Sequence, residues 1–152
     1  MKHGKKVKEL IKILILKFLE KENLHGYLLI SNIKEITGIS VSPSMVYPIL
    51  SNLKTAGLIE VEKTEDRGKK IYKLTKDGHS FLDKNQAKVE YCMKKSKALY
   101  HFHNFGGIEL KKALHLAFEE FIDMDDEKRK KIGEIMQKCA KDIRYQIEYG
   151  DD

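Results

Sequence analysis

Two cysteines, two prolines and no tryptophan occur in 152 residues, and each scarcity removes a class of protein. Cys92 and Cys139 lie far apart, with no CxxC pair and no third thiol, so neither a disulfide framework nor a cysteine zinc site is signalled. Long apolar runs are missing too. The stretch from Leu10 to Leu19 is broken by Lys12 and Lys17, and it is half the ~20 residues a membrane span needs. Glu20-Lys21-Glu22 follows where a signal peptide needs small residues. A cytoplasmic protein with no membrane partner is expected. The chain also lacks a Ser/His/Asp grouping, a phosphate-cradling glycine loop and a carboxylate pair in an apolar setting. His101 and His103, with Cys92 one long helix away, have no further ligand to complete a metal set. The reading is not an enzyme, with no cofactor.

What is present is ordinary for a folded protein: 41% hydrophobic and 34% charged residues, with a net charge of +6. That excess agrees with a polyanionic partner, although lysine-rich surfaces are common in proteins that never meet nucleic acid.

The most informative stretch is Ser42 to Ile59. Ser42 fits an N-cap and Pro43 the first helical position. Val46, Ile49, Leu50 and Leu53 then form one apolar stripe at helical spacing, and Ser44, Tyr47, Ser51, Asn52 and Lys54 are left on a polar face. Pro48 removes a bond to Ser44 and predicts a kink near the helix start. Gly57 ends the helix. Leu58 to Lys63 reads as a strand, Thr64 to Lys70 as a charged turn and Ile71 to Thr75 as the returning strand. A short helix followed by a basic hairpin is the winged helix-turn-helix arrangement, in which the helix enters a major groove and the hairpin reaches the neighbouring backbone.

Before that stretch, a helix from about Val7 to Lys21 has apolar residues on two surfaces and must be covered on both, one of them by its own domain and the other by a partner subunit. A second helix of about ten residues ends at Thr37-Gly38. His25 is read as a cap or turn residue. After it, one helix is expected from Asp77 or Gly78 to about Phe102, stopped by Gly106-Gly107. Two more follow, the last capped by Asp123 or Asp125. The fold class expected is mainly α with a small two-stranded β wing: a winged helix DNA-binding domain over residues 5–78 and a C-terminal helical dimerisation region over 79–152.

The chain resembles the PadR family of prokaryotic transcriptional regulators in four places: His25-Gly26-Tyr27; Ser42-Pro43-Ser44-Met45-Val46-Tyr47-Pro48-Ile49-Leu50 with Leu53; Ala56-Gly57-Leu58-Ile59; and Tyr72-Lys73-Leu74-Thr75-Lys76-Asp77-Gly78. The resemblance implies a homodimer that binds a palindromic operator in double-stranded DNA through the N-terminal domain and pairs through the C-terminal helices. It further implies a repressor relieved by a ligand.

The residues expected to touch DNA are Ser42, Ser44 and Tyr47 at the start of the recognition helix, Asn52 and Lys54 near its end, and Arg67, Lys69 and Lys70 in the hairpin. Each also has a plainer reading: Ser42 as a cap, Tyr47 as a half-buried packing residue, the hairpin charges as a solvated loop. A protein-protein interaction module on the same surface is the alternative function. A hydrophobic small-molecule effector enclosed by the first helix and the C-terminal bundle, with Phe102, Phe105 and Phe118 lining it, is a third reading.

Overall fold

The computed structural model describes residues 2–150, with side chains from Lys6 onward. The chain divides into two compact units, Met1–Phe105 and Gly106–Asp152.

The first unit is organised around α1 (Lys2–Lys21). Ile13, Leu14, Ile15 and Leu16 are four consecutive residues with no exposed surface, so this helix is covered all round. The cover comes from within the same chain: α2 (Gly26–Thr37), α3 (Pro43–Thr55), α4 (Lys76–Lys84), α5 (Gln86–Phe102) and β3 (Lys69–Leu74) all pack on it. This corrects the expectation that a partner subunit covers the first helix, and with it the homodimer contact placed there. Between Leu10 and Leu19 no apolar face is left to offer. The reason is that α4 and α5 belong to the same compact unit and supply the second side.

The wing is a three-stranded antiparallel sheet in the order β1-β3-β2, with β1 (Leu24–His25) and β2 (Ile59–Glu65) flanking β3. The hairpin is the pair expected, and β1 adds a short third strand, Leu24 lying opposite Tyr72 and His25 opposite Ile71. The strands extend further than the sequence suggests: Thr64 pairs with Lys70 and Glu65 with Lys69, leaving only a tight turn at Asp66–Gly68. Arg67 and Gly68 close that turn with φ of 63° and 74°.

Several caps match the sequence reading and one does not. Gly38 ends α2 in the left-handed conformation, and its N–H donates to the Lys34 carbonyl at 2.8 Å. His25 caps α2, its Nδ1 accepting from the Leu28 N–H at 3.2 Å. Asp125 caps α7 (Asp126–Tyr149) by accepting from the Lys128 N–H at 2.7 Å. Ser42, by contrast, occupies the N-cap position without capping through its side chain. Its hydroxyl lies 2.8 Å from that of Ser44. The single helix expected from Gly78 to Phe102 is two, divided at Asn85, whose amide Nδ2 donates to the Phe81 carbonyl at 2.7 Å and whose own carbonyl begins α5. Gly106 and Gly107 do not simply stop the chain: a π-turn over His103–Gly107 leads straight into α6 (Ile108–Glu120).

Gly78 is the point where α3, the wing and α4 meet. The Thr75 hydroxyl accepts from the Gly78 N–H at 3.0 Å and donates to the Gly57 carbonyl at 2.6 Å, and the Thr75 N–H donates to the Leu58 carbonyl at 3.1 Å. A β-carbon on Gly78 would stand 2.3 Å from that Leu58 oxygen and 2.5 Å from Leu74 Cδ1. Backbone cannot give way as a side chain can. Gly78→Ala is therefore expected to lower the stability of the first unit by about 1–3 kcal/mol, in the manner of overpacked cores. Urea denaturation followed by circular dichroism reads this as a lower midpoint.

Candidate nucleic-acid interface

The recognition helix is fixed from beneath. Val46, Ile49, Leu50 and Leu53 are buried on one face of α3, and its end is tied by Gly57, at φ 72°, whose N–H donates to the Lys54 carbonyl. The opposite face is exposed at Ser42, Ser44, Tyr47, Ser51, Asn52 and Lys54, the residues singled out from periodicity. Pro48 lies within α3, which runs as one helix across it. Asn52 and Lys54 lie in the last turn, where their carbonyls accept from the Ala56 and Gly57 N–H groups. At the other end the paired hydroxyls of Ser42 and Ser44 stand at the positive end of the helix dipole, where Pro43 has no N–H and those of Met45 and Val46 donate to the Ser42 carbonyl.

The wing tip divides its charges. Lys63 pairs with Glu65 at 3.2 Å and Lys73 with Glu60 at 3.2 Å. Arg67, Lys69 and Lys70 are exposed and enter no ion pair among the described residues. Glu65 is thus engaged with a lysine of its own strand.

Between the helix and the wing lies a concavity of about 290 Å³. Tyr47 of α3, His25, Gly26 and Tyr27 at the start of α2, and Gly68, Lys69, Lys70 and Tyr72 of the wing line it. The contact that shapes it is Tyr47 lying across Gly26: a β-carbon at Gly26 would stand 2.9 Å from Tyr47 Cε1 and 3.0 Å from its hydroxyl. The pairing of His-Gly-Tyr with Tyr-Pro in the sequence thus has a physical reason. Glycine leaves the ring room to lie there. Tyr72 is 8% exposed, Tyr47 47%. Burial raises the Tyr72 phenol above its ordinary pKa, and Tyr47 close by adds to the rise, so Tyr72 stays a hydrogen-bond donor at neutral pH. Three of the residues expected to touch DNA, Tyr47, Lys69 and Lys70, are brought together here. Ser42, Ser44, Asn52, Lys54 and Arg67 lie outside the concavity.

Residues 15–84 match the model of the transcriptional regulator PadR-like family. Over these residues, a little under half of the chain, it is similar to the PadR-like family of transcriptional regulators. It is 34% identical over 90 residues to the transcriptional regulator YqjI of Escherichia coli K12, an overlap of 58% of this chain and 43% of that protein. The chain therefore spans less than half the length of that relative. Among solved structures it is similar to TA0346 of Thermoplasma acidophilum, with 27% identity, TM-score 0.53, and 64% and 94% of the two chains covered. A PadR-like transcription factor from Bacteroides fragilis gives 27% identity, TM-score 0.52, and 64% and 96% coverage. Members of the family are regulators rather than enzymes. Among the described residues no three metal-ligating side chains cluster, and no helix is long and apolar enough to cross a membrane.

Among the residues lining the concavity, His25, Tyr27 and Tyr72 carry side chains that sequence reasoning did not place at the site. Tyr72 was read as part of a strand, and its signal was its period-two relation to Lys70, which puts both on one face of β3. The effector reading fares differently. None of Phe102, Phe105 and Phe118 lines the groove between α6 and α7, and Phe118 lines a separate concavity with Phe121 and Ile122.

Gly26→Ala is expected to destabilise the protein by about 1–3 kcal/mol, and in a Tyr47→Ser background the same change should cost much less. A double-mutant cycle in urea, with a coupling of at least about 1 kcal/mol expected, checks that the ring and the glycine are matched.

Proposed function

We propose that this PadR-like chain is a homodimeric repressor that binds a palindromic operator, each copy inserting α3 into a major groove and laying the wing on the adjacent backbone. The observation that carries this reading is the exposed polar face of α3 next to a wing whose Arg67, Lys69 and Lys70 enter no ion pair among the described residues. The DNA-binding elements lie in residues 5–78, α4 and α5 complete the same compact unit, and the dimerising helices are α6 and α7. Ser44 and Tyr47 are the contacts nearest the groove entry, Ser42 supports Ser44 through their hydrogen bond, and Asn52 and Lys54 meet the backbone from the helix end.

Dimerisation is supported by the second unit. Neither α6 nor α7 contains a buried residue, yet Leu114, Ile135 and Ile143 are 46%, 67% and 44% exposed. With Leu110, Ile132 and Met136 they line a groove of about 850 Å³. Two helices that leave this much apolar surface bare have an unfinished core, and a second copy of the same pair completes it most economically. The two recognition helices would then meet successive major grooves about 34–36 Å apart.

Mobility-shift titration on the duplex upstream of its own gene tests the DNA reading. Binding is expected to weaken steeply between low and moderate salt. Arg67→Glu with Lys69→Glu should weaken it by about tenfold or more on every sequence, since phosphate contacts carry no sequence information. Unchanged regulation by that double variant would instead favour a protein-interaction module. For the dimer, Ile135→Asp with Leu114→Glu is expected to shift the mass measured by light scattering from two chains to one.

A further inference from the structure

The concavity between α2, α3 and the wing has a composition that its size alone does not reveal. Its lining supplies hydrogen-bond donors of four kinds and no carboxylate: the phenols of Tyr27, Tyr47 and Tyr72, the ammonium groups of Lys69 and Lys70, the imidazole of His25, and the first backbone N–H groups of α2. The imidazole donates because of its cap. With Nδ1 accepting from the Leu28 N–H, the neutral ring carries its proton on Nε2. The same cap uses up the Leu28 N–H and leaves those of Gly26 and Tyr27 at the positive end of the α2 dipole.

Tyr72 is the independent sign that something belongs there. Its side chain is more than nine-tenths buried, and its hydroxyl has no hydrogen-bond partner among the described residues. Among the described residues no buried side-chain polar atom is left unsatisfied, so that hydroxyl keeps some access to solvent, and Tyr72 lines the concavity. A buried ring with a donor beside a basic hollow suits an anion, and a volume of about 290 Å³ holds a tetrahedral one with some of its water.

We propose that this hollow seats one phosphate of the DNA backbone, held by Tyr72, Tyr47, His25 and Lys70, and so clamps the duplex at the junction of α2, α3 and the wing. The assignment rests on the DNA-binding reading and adds to it. It makes Tyr47 a backbone contact rather than a reader of bases, and it gives Tyr72, otherwise a core tyrosine of the strand, a direct place in the interface. The phosphate group is the chemistry recognised, and the backbone is its source because the hollow is continuous with the exposed face of α3 and the wing tip through Tyr47 and Lys69.

The test uses the full chain and three variants, Tyr72→Phe, Tyr47→Phe and Lys70→Met, each titrated against the upstream duplex and against an unrelated duplex of equal length. Tyr72→Phe removes only the unpartnered hydroxyl, so its thermal midpoint should not fall. Its affinity should drop by roughly three- to tenfold, equally on both duplexes, as loss of one phosphate hydrogen bond does. Lys70→Met should weaken both and reduce the salt slope by about one. Replacing single phosphates of the upstream duplex by neutral methylphosphonates should reveal one position per half-site that weakens the parent protein but not Tyr72→Phe. Parental affinity retained by Tyr72→Phe, or a loss confined to the upstream duplex, overturns the phosphate seat. No binding by the parent protein to either duplex overturns the DNA reading beneath it. Inorganic phosphate, titrated against DNA-free protein with ring-labelled tyrosines at constant ionic strength, separates the sources: saturable shifts at submillimolar phosphate would make the free anion the occupant and overturn the backbone assignment.

Discussion

Everything in the first unit depends on hiding α1. Ile13 to Leu16 bury four adjacent side chains, so successive residues point to every side of the helix and each side needs a cover. Burying a leucine or isoleucine is worth roughly 1.5–3 kcal/mol, and that gain draws α2, α3, α4, α5 and β3 onto one axis. A recognition helix has to keep its polar face bare. It can do so only if the other face is held rigidly, and α1 provides the surface on which Val46, Leu50 and Leu53 are fixed.

The same demand explains what could be read in the sequence and what could not. The stripe on α3, the glycine stops at Gly38 and Gly57, and the hairpin are local consequences of periodicity and left-handed φ, and each stands where the residues suggest. The division at Asn85 was not legible. Its cause is a side-chain amide bonded to the Phe81 carbonyl, while the apolar spacing on either side is equally compatible with one helix. Ser42 shows a related failure. A serine before a proline satisfies every rule for a capping residue, yet its hydroxyl finds Ser44 instead, because that alternative is two residues away and equally available. How α1 is covered was misjudged for a different reason: counting helices does not say which of them fold back, and α5, far along the chain, does.

Site residues divide on the same line. For the candidates on α3 and at the hairpin tip the exposure was legible, because exposure follows from pattern. The part of Tyr72 and His25 was not, since it depends on three segments distant in sequence meeting at one place: Leu24 opposite Tyr72 in β1 and β3, and Tyr47 across Gly26. The short third strand is the device that makes the meeting possible. Pairing Leu24-His25 to β3 sets the start of α2 beside the wing, and the glycine that follows lets the helix accept the tyrosine ring.

A clamp and a reader are different requirements, and this arrangement assigns them to different atoms. Groove-reading groups gain from freedom to adjust, whereas a phosphate seat is useful only if it is stiff, because its function is to set how deep and at what angle the helix lies. Ser44 stands exposed at the helix start with its hydroxyl tied only to Ser42. Tyr72, by contrast, is held in a sheet between Leu24 and Val61, and the Tyr47 ring lies across Gly26. Stiffness there is transmitted directly, since β3 and α3 both rest on α1. In the proposed dimer, the bare face of α6 and α7 would set the complementary constraint, on the distance between two readers rather than the depth of one. A palindrome can be discriminated only when both are fixed, because an error in either displaces the polar face of α3 from the base edges it must meet.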